Sequence, residues 1–226
     1  NVRINLALAA LHRGDTADAQ RWTDAVEPLR LGDEGRLWLR LVQLRVALLA
    51  GRLDDAVPLQ AELEVFAARG QVPMAAWFAA WTRGLLAEAM ARPEAAIAAY
   101  EAAEAELERH AHLGRSAALG TLADRRYLSF GAATRRLVDL RVEAGDAEGA
   151  VWTARHARSR ALRMAAREVC HDAELVRAKS LRPGELRLLY FRVSPRAGST
   201  GDTRWIGFAI TDNSVHAEPL TLPAIP

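Results

Sequence analysis

Residues 5–19 read NLALAALHRGDTADA, and this stretch decides the fold. Small and apolar residues recur at helical spacing on both sides of the pair Gly14-Asp15. Glycine and aspartate favour a tight chain reversal because of their backbone preferences. Ala7 before the turn and Ala19 after it are small enough to let two helices approach closely. The stretch therefore predicts two antiparallel helices joined by a short turn.

Similar turn motifs occur three more times, as Gly51-Arg52, as Ala91-Arg92-Pro93 and as Gly145-Asp146. Apolar residues at helical spacing follow each turn. The turns are unevenly spaced, so we expect lengthened helices in the third unit, with one Ala-rich helix from Glu94 to about Ala111. The pattern resembles tetratricopeptide (TPR) repeats, whose units run to about 34 residues. It predicts a mainly α, TPR-like superhelical repeat domain over residues 1–167.

The helical pattern of apolar residues gives way to a different pattern after residue 167. Residues 168–184 are predicted to form a linker helix and a turn that closes on Pro183-Gly184. Three compact apolar stretches follow and predict the strands of a meander, at residues 186–193, 205–211 and 215–220.

A series of motifs runs in a distinctive order through the last hundred residues: Asp124-Arg125-Arg126, Arg158-Ser159-Arg160-Ala161-Leu162, Pro183-Gly184, Leu188-Leu189-Tyr190-Phe191 and Trp205-Ile206-Gly207-Phe208. This order resembles the junction between TPR repeats and the protease domain of bacterial CHAT proteins, a caspase-like, separase-related family of cysteine peptidases. Arg155-His156 departs from the Glu-Arg usual in that family.

The resemblance implies that residues 185–226 are the N-terminal strands of an incomplete α/β caspase-like CHAT domain. It also implies that the catalytic histidine and cysteine lie beyond the third strand, so no catalytic residue is assigned. We expect the chain to be an excerpt of a longer bacterial protein, inactive as a peptidase alone. Its expected role is that of a regulatory segment, which senses a protein partner and controls the attached peptidase.

Two alternatives stay open. One is a non-catalytic scaffold or adaptor whose CHAT domain is degenerate and serves only for docking. The other is a helical-repeat sensor attached to a signalling ATPase or a transcription regulator, although that reading leaves the strands unexplained.

A protein or peptide ligand is expected in the groove of the repeats. If the repeat register holds, the partner-binding positions are Asn5, Leu8, His12, Trp38, Arg45, Trp81, Leu85, Glu88, Arg135 and Asp139. The helix residues Arg158, Arg160 and Leu162 would form the domain junction. The aromatic residues of the helices, Trp38, Trp77, Phe78, Trp81 and Trp152, are expected first to pack in the core and second to line the groove.

Other chemistries find little support in the sequence. No phosphate loop, dinucleotide fingerprint or acidic metal loop is present, so we expect no cofactor and no metal. His110 and His112 would lie on nearly opposite sides of a helix. Cys170 and His171 would point about 100° apart on a helix, which favours a structural cysteine.

Composition argues for a cytoplasmic protein without membrane contact. A single cysteine is typical of a reducing compartment. The formal net charge is only +2. Residues 151–187 are basic, but their arginines do not form a single stripe and only Trp152 could stack on a base, so a nucleic-acid partner is not expected.

Overall fold

The computed structural model describes residues 2–72, 74–112, 131–166, 186–193, 204–211 and 214–220. Within these ranges the protein is mainly helical and carries one small antiparallel sheet of three strands. The described elements are α1 (Val2–His12), α2 (Thr16–Asp24), a 3₁₀ turn (Pro28–Arg30), α3 (Asp33–Leu49), α4 (Leu53–Arg69), α5 (Ala75–Ala89), α6 (Pro93–His112), α7 (Gly131–Glu143), α8 (Ala147–Ala166), β1 (Arg187–Val193), β2 (Arg204–Ile210) and β3 (Val215–Leu220).

All four predicted chain reversals are present, and they share one hydrogen-bond pattern. The turn residues Gly14, Gly51, Ala91 and Gly145 adopt positive φ angles. In each turn, this residue donates its backbone N–H three positions back, and the next residue donates five positions back. This paired arrangement satisfies carbonyl groups that the end of a helix would otherwise leave unbonded.

The aspartate of the Gly-Asp turns caps the helix that follows. Asp15 Oδ1 accepts a hydrogen bond of 2.9 Å from the N–H of Asp18 at the start of α2. Asp146 Oδ1 accepts an equivalent bond of 2.9 Å from the N–H of Gly149 in α8. Glycine thus ends one helix and aspartate begins the next, which explains why the pair marks a hairpin.

The described residues divide into two compact units, the first comprising 2–72 and 74–107. In the first unit each helix from α1 to α5 packs on its neighbour in sequence, and α3 also contacts α1 and α5. Gly84 of α5 permits the close approach of α6, since a Cβ atom there would lie 2.4 Å from Cε1 of Tyr100. The largest fully buried side chains of this unit are Leu37, Leu39, Leu41, Leu44, Leu63, Trp77, Phe78 and Tyr100.

The second unit contains residues 108–112, 131–166 and the described residues of the strands. Its sheet has the strand order β1-β2-β3, with Tyr190 opposite Gly207 and Gly207 opposite Glu218. Every second residue of β2 faces the α7–α8 hairpin, so that Ile206, Phe208 and Ile210 are buried. They pack with Val138, Ala150, Val151 and Ala154.

The predicted meander is therefore confirmed. Helices α7 and α8 cover one face of the sheet, which supplies the support that three short strands require. On β1, Leu188 and Tyr190 point away from this core and are exposed. The domain boundaries at residues 167 and 184 stay predictions.

None of the helices in the described ranges combines the length and the apolar character that a bilayer span requires. The predicted linker 168–184, including the pair Cys170-His171, lies outside the described residues.

Candidate functional site

Arg45 of α3 and Trp81 of α5 form the most unusual contact among the predicted binding residues. The guanidinium carbon of Arg45 lies 5.6 Å from the centroid of the Trp81 ring. A cation at this distance over an indole face is attracted by the electron-rich face of the ring. The contact joins two helices that are not consecutive in the chain, because α3 packs directly on α5.

Arg45 has no compensating negative charge. Among the described residues it makes no hydrogen bond and no ion pair, and the Trp81 ring is its one polar or electrostatic contact. Burial lowers the pKa of Arg45 to about 10. The side chain therefore remains protonated at neutral pH, although its charge is partly removed from water.

Trp81 is buried, with 4% of its surface exposed, and its ring belongs to an aromatic cluster. It stacks on Trp77 with a centroid separation of 5.4 Å. Trp77 meets Phe78 edge-on, and Phe78 meets Trp38 of α3 in the same way. The indole N–H of Trp81 finds no acceptor among the described residues. Four of the five helix aromatics thus lie in the core, as first expected, whereas Trp152 is half exposed.

Most acidic side chains of α3, α4 and α5 have partners within the described part of the chain. Glu34 accepts from the indole N–H of Trp38 at 3.3 Å, and Glu88 accepts from the hydroxyl of Tyr100 at 2.5 Å. Arg40 binds Glu62 at 2.6 Å. Glu64 receives both the amide of Gln60 and the guanidinium of Arg83. These four glutamates are therefore engaged with side chains other than Arg45.

The other predicted binding positions of the first unit differ in exposure. Asn5 and His12 of α1 are exposed, and Leu85 of α5 is partly exposed. Leu8 lies in the core with 3% of its surface exposed, so it presents no surface to a ligand. The structure brings Arg45 and Trp81 together.

The last two predicted binding positions, Arg135 and Asp139, belong to the second unit. Arg135 is partly exposed, but Asp139 is buried and paired with the equally buried Arg136. Asp139 therefore has a structural partner within its own helix.

The predicted junction residues lie on α8. Arg158 is exposed, whereas Arg160 is buried and its Nη1 lies 3.8 Å from Oε2 of Glu108. The same Glu108 oxygen lies 3.1 Å from Nε2 of His156. Leu162 is on the helix, but its side chain is outside the described part of the chain.

The cluster formed by Glu108, His156 and Arg160 was not predicted from the sequence. Its histidine also stacks on Trp152 at 4.9 Å between ring centroids. Nearby on α8, burial and, to a smaller extent, the charge of Arg187 lower the pKa of Arg155. Glu108 and His156 lie 48 positions apart in the chain, so no local sequence pattern predicts their contact.

The described side chains include no group of three His, Cys, Asp or Glu residues arranged to hold a metal ion. Comparison with protein-family models, with curated proteins and with solved structures finds no match.

Proposed function

We propose that this chain is the partner-binding, TPR-type regulatory segment of a bacterial CHAT cysteine protease. The observation that carries the binding role is the contact of Arg45 with Trp81, where a charged donor lies between two helices without an acid to neutralise it. Arg45 is only partly buried, so its guanidinium is within reach of a bound molecule, and ionisable groups whose pKa is perturbed occur preferentially at functional sites.

The repeated hairpins support a TPR-type architecture. Four chain reversals share one hydrogen-bond pattern, and α3 contacts the first helix of both neighbouring hairpins. In helical-repeat proteins, this succession creates a continuous surface that is used for binding peptides or helices.

The protease assignment rests on the resemblance of the junction motifs. Helix α8 carries the Arg158–Leu162 motif, and β1 and β2 carry the strand motifs that follow it. In this proposal, binding of the partner changes the arrangement of the junction and so the activity of the attached peptidase.

The test uses the full-length protein that contains this segment. A photo-crosslinking amino acid at the exposed Asn5 or His12 identifies the bound partner in cells. A thiol-reactive peptide probe should then label a cysteine downstream of residue 226, and replacing a preceding histidine should abolish labelling.

Addition of the partner should change the rate of labelling, and deletion of residues 1–110 should remove that response. A response that survives the deletion contradicts the regulatory role. Absence of labelling with the partner present would instead favour the non-catalytic scaffold.

A further inference from the structure

Trp152 of α8 is the one tryptophan in the described ranges that lies mainly at the surface, with 53% of it exposed. The ring of His156 lies against it, nearly parallel at 8° and with 4.9 Å between the ring centroids. Oε2 of Glu108 in turn lies 3.1 Å from Nε2 of His156 and holds the imidazole in this orientation. Trp152 is therefore supported on one ring face and open to solvent elsewhere, which suits it for stacking a planar ligand.

Two charged side chains of α8 flank this ring on the same side of the helix. Glu148 lies four residues before Trp152 and Arg155 lies three residues after it, and helical residues at these spacings are neighbours. Glu148 is exposed and Arg155 is partly exposed. Within the described part of the chain, neither makes a hydrogen bond or an ion pair. This face of α8 therefore presents a hydrogen-bond acceptor, a stacking ring and a cationic donor in that order.

The surroundings of Arg155 are positively charged. Burial and, to a smaller extent, the charge of Arg187 in β1 lower the pKa of Arg155. Because Arg187 is itself exposed, an anion at the surface can interact with both guanidinium groups. A phosphate monoester carries about −1.5 to −2 charges, which two arginines balance. The planar fork of an arginine also matches the oxygens of a phosphate group in geometry.

The spacing of the three side chains selects the rest of the ligand. Arg155 follows Glu148 by seven residues, which corresponds to about 10 Å along the helix axis. A purine nucleoside monophosphate spans a comparable length, with a phosphate at one end and a base that carries N–H donors at the other. Phosphotyrosine also combines an aromatic ring with a phosphate, but its ring has no N–H to donate to Glu148. The nucleotide is thus the ligand that uses all three side chains.

We propose that Glu148, Trp152 and Arg155 form a binding site for a purine nucleoside monophosphate. The base stacks on the open face of Trp152 and donates its amino group to Glu148, and the phosphate binds Arg155 with Arg187 beside it. The site lies within the second unit and goes beyond the proposed function, since partner binding is assigned mainly to the first unit.

The test is a titration of the 226-residue chain with adenosine monophosphate (AMP), followed through the indole N–H resonances of its tryptophans in NMR spectra. The Trp152→Leu variant assigns the resonance of Trp152. AMP should shift this resonance saturably. Adenosine and ribose 5-phosphate should each bind at least tenfold more weakly, because the first lacks the phosphate and the second lacks the base. Phosphotyrosine should also bind more weakly than AMP.

Variants compared by calorimetry identify the role of each side chain. Arg155→Gln should weaken AMP binding about tenfold or more and leave adenosine binding unchanged, which also shows that the variant is folded. Trp152→Leu should weaken the binding of both AMP and adenosine about tenfold, and Trp152→Phe should weaken it less. Glu148→Leu should weaken AMP binding but not ribose 5-phosphate binding, because only AMP carries the base.

Two matched controls should bind AMP like the unmodified chain. Arg69→Gln removes the same charge from an exposed position in the last turn of α4. Tyr190→Leu removes an aromatic ring that is as exposed as Trp152, from the open face of the sheet.

Three results would overturn the site. They are the absence of a saturable shift at Trp152, equal AMP binding by the unmodified chain and Arg155→Gln, and AMP binding no tighter than that of ribose 5-phosphate. Phosphotyrosine binding as tight as that of AMP would likewise overturn the nucleotide and point to a phosphorylated peptide.

Discussion

At the third chain reversal an alanine occupies a backbone position that the other three reversals give to glycine. Ala91 has a φ angle of 56°, whereas Gly51 at the equivalent position has 70°. A Cβ atom makes this left-handed region unfavourable by about 1–2 kcal/mol. Ala91 therefore stores strain in the hairpin between α5 and α6.

We expect Ala91→Gly to raise the free energy of unfolding by about 0.5–1 kcal/mol, since relief of strain exceeds the added entropy of the unfolded chain. Gly51→Ala should lower it by about 1 kcal/mol or more, through the backbone alone, because nothing lies within 4 Å of the new Cβ. Urea denaturation measures both. Ala98→Gly, at an exposed position within α6, is the control and should lower the free energy of unfolding. If Ala98→Gly stabilised the protein as Ala91→Gly does, the strain argument would be refuted.

The unpaired charge of Arg45 leads to a second prediction at this scale. Arg45→Met keeps most of the aliphatic stem but removes a cation that burial disfavours. Arg45 is only partly buried, and the substitution also removes its attraction to the Trp81 ring, so the two effects oppose each other. The free energy of unfolding of the chain should therefore change by less than about 1 kcal/mol. A larger loss in urea denaturation would instead show that the contact with Trp81 holds α3 and α5 together.

Close packing at Gly84 can be tested in the same way. Gly84→Ala would place a methyl group against the buried ring of Tyr100, and the overpacking should cost about 1–3 kcal/mol. In a Tyr100→Leu background the same change should cost much less, because the ring that it meets is gone. Equal costs in both backgrounds would mean that backbone propensity, and not the ring, is responsible.

At the scale of elements, the stability of the sheet depends on the face that packs on the α7–α8 hairpin. Phe208 of β2 is 1% exposed and packs on the α7–α8 hairpin, whereas Tyr190 of β1 points to the other face and is 57% exposed. Phe208→Ala should lower the free energy of unfolding of the second unit by about 3–5 kcal/mol. Tyr190→Ala removes a similar ring and should cost less than about 1 kcal/mol. Denaturant titration measures both variants. Similar losses of free energy of unfolding in the two would mean that the face with Phe208 is not the one that stabilises the sheet.

The helices and turns could be predicted because the forces that define them are local. A Gly-Asp reversal is closed by backbone hydrogen bonds that reach at most five residues back, so the turn at Gly14-Asp15 can be predicted from the local sequence. The strands were predicted from their compact apolar stretches, and the structure adds which residues of β2 are buried, namely Ile206, Phe208 and Ile210.

The site was less predictable. Arg45 and Trp81 were both named, but only the packing of α3 on α5 reveals their contact. A shift of one residue turns a helical side chain by about 100°, which is enough to bury Leu8 instead of exposing it. The acid that binds His156 lies 48 residues away and follows from tertiary structure alone.

At the scale of the whole molecule, the two compact units have separately described cores. Destabilising the second core should therefore act mainly on its own unit. In hydrogen exchange, Phe208→Ala should reduce the protection of amides in α7, α8 and the strands and leave α1–α5 close to their original values. A uniform loss across all helices would show that the chain unfolds as one cooperative body.

The positive φ angles of the chain reversals have a chemical consequence. A D-amino acid prefers the backbone region that L-residues avoid, so D-alanine matches Gly51 without the freedom that glycine has in the unfolded chain. In a chemically synthesised protein, mirror-image residues at these corners would fit the native backbone. What the fold requires there is the handedness of a single carbon atom and not the chemistry of a side chain.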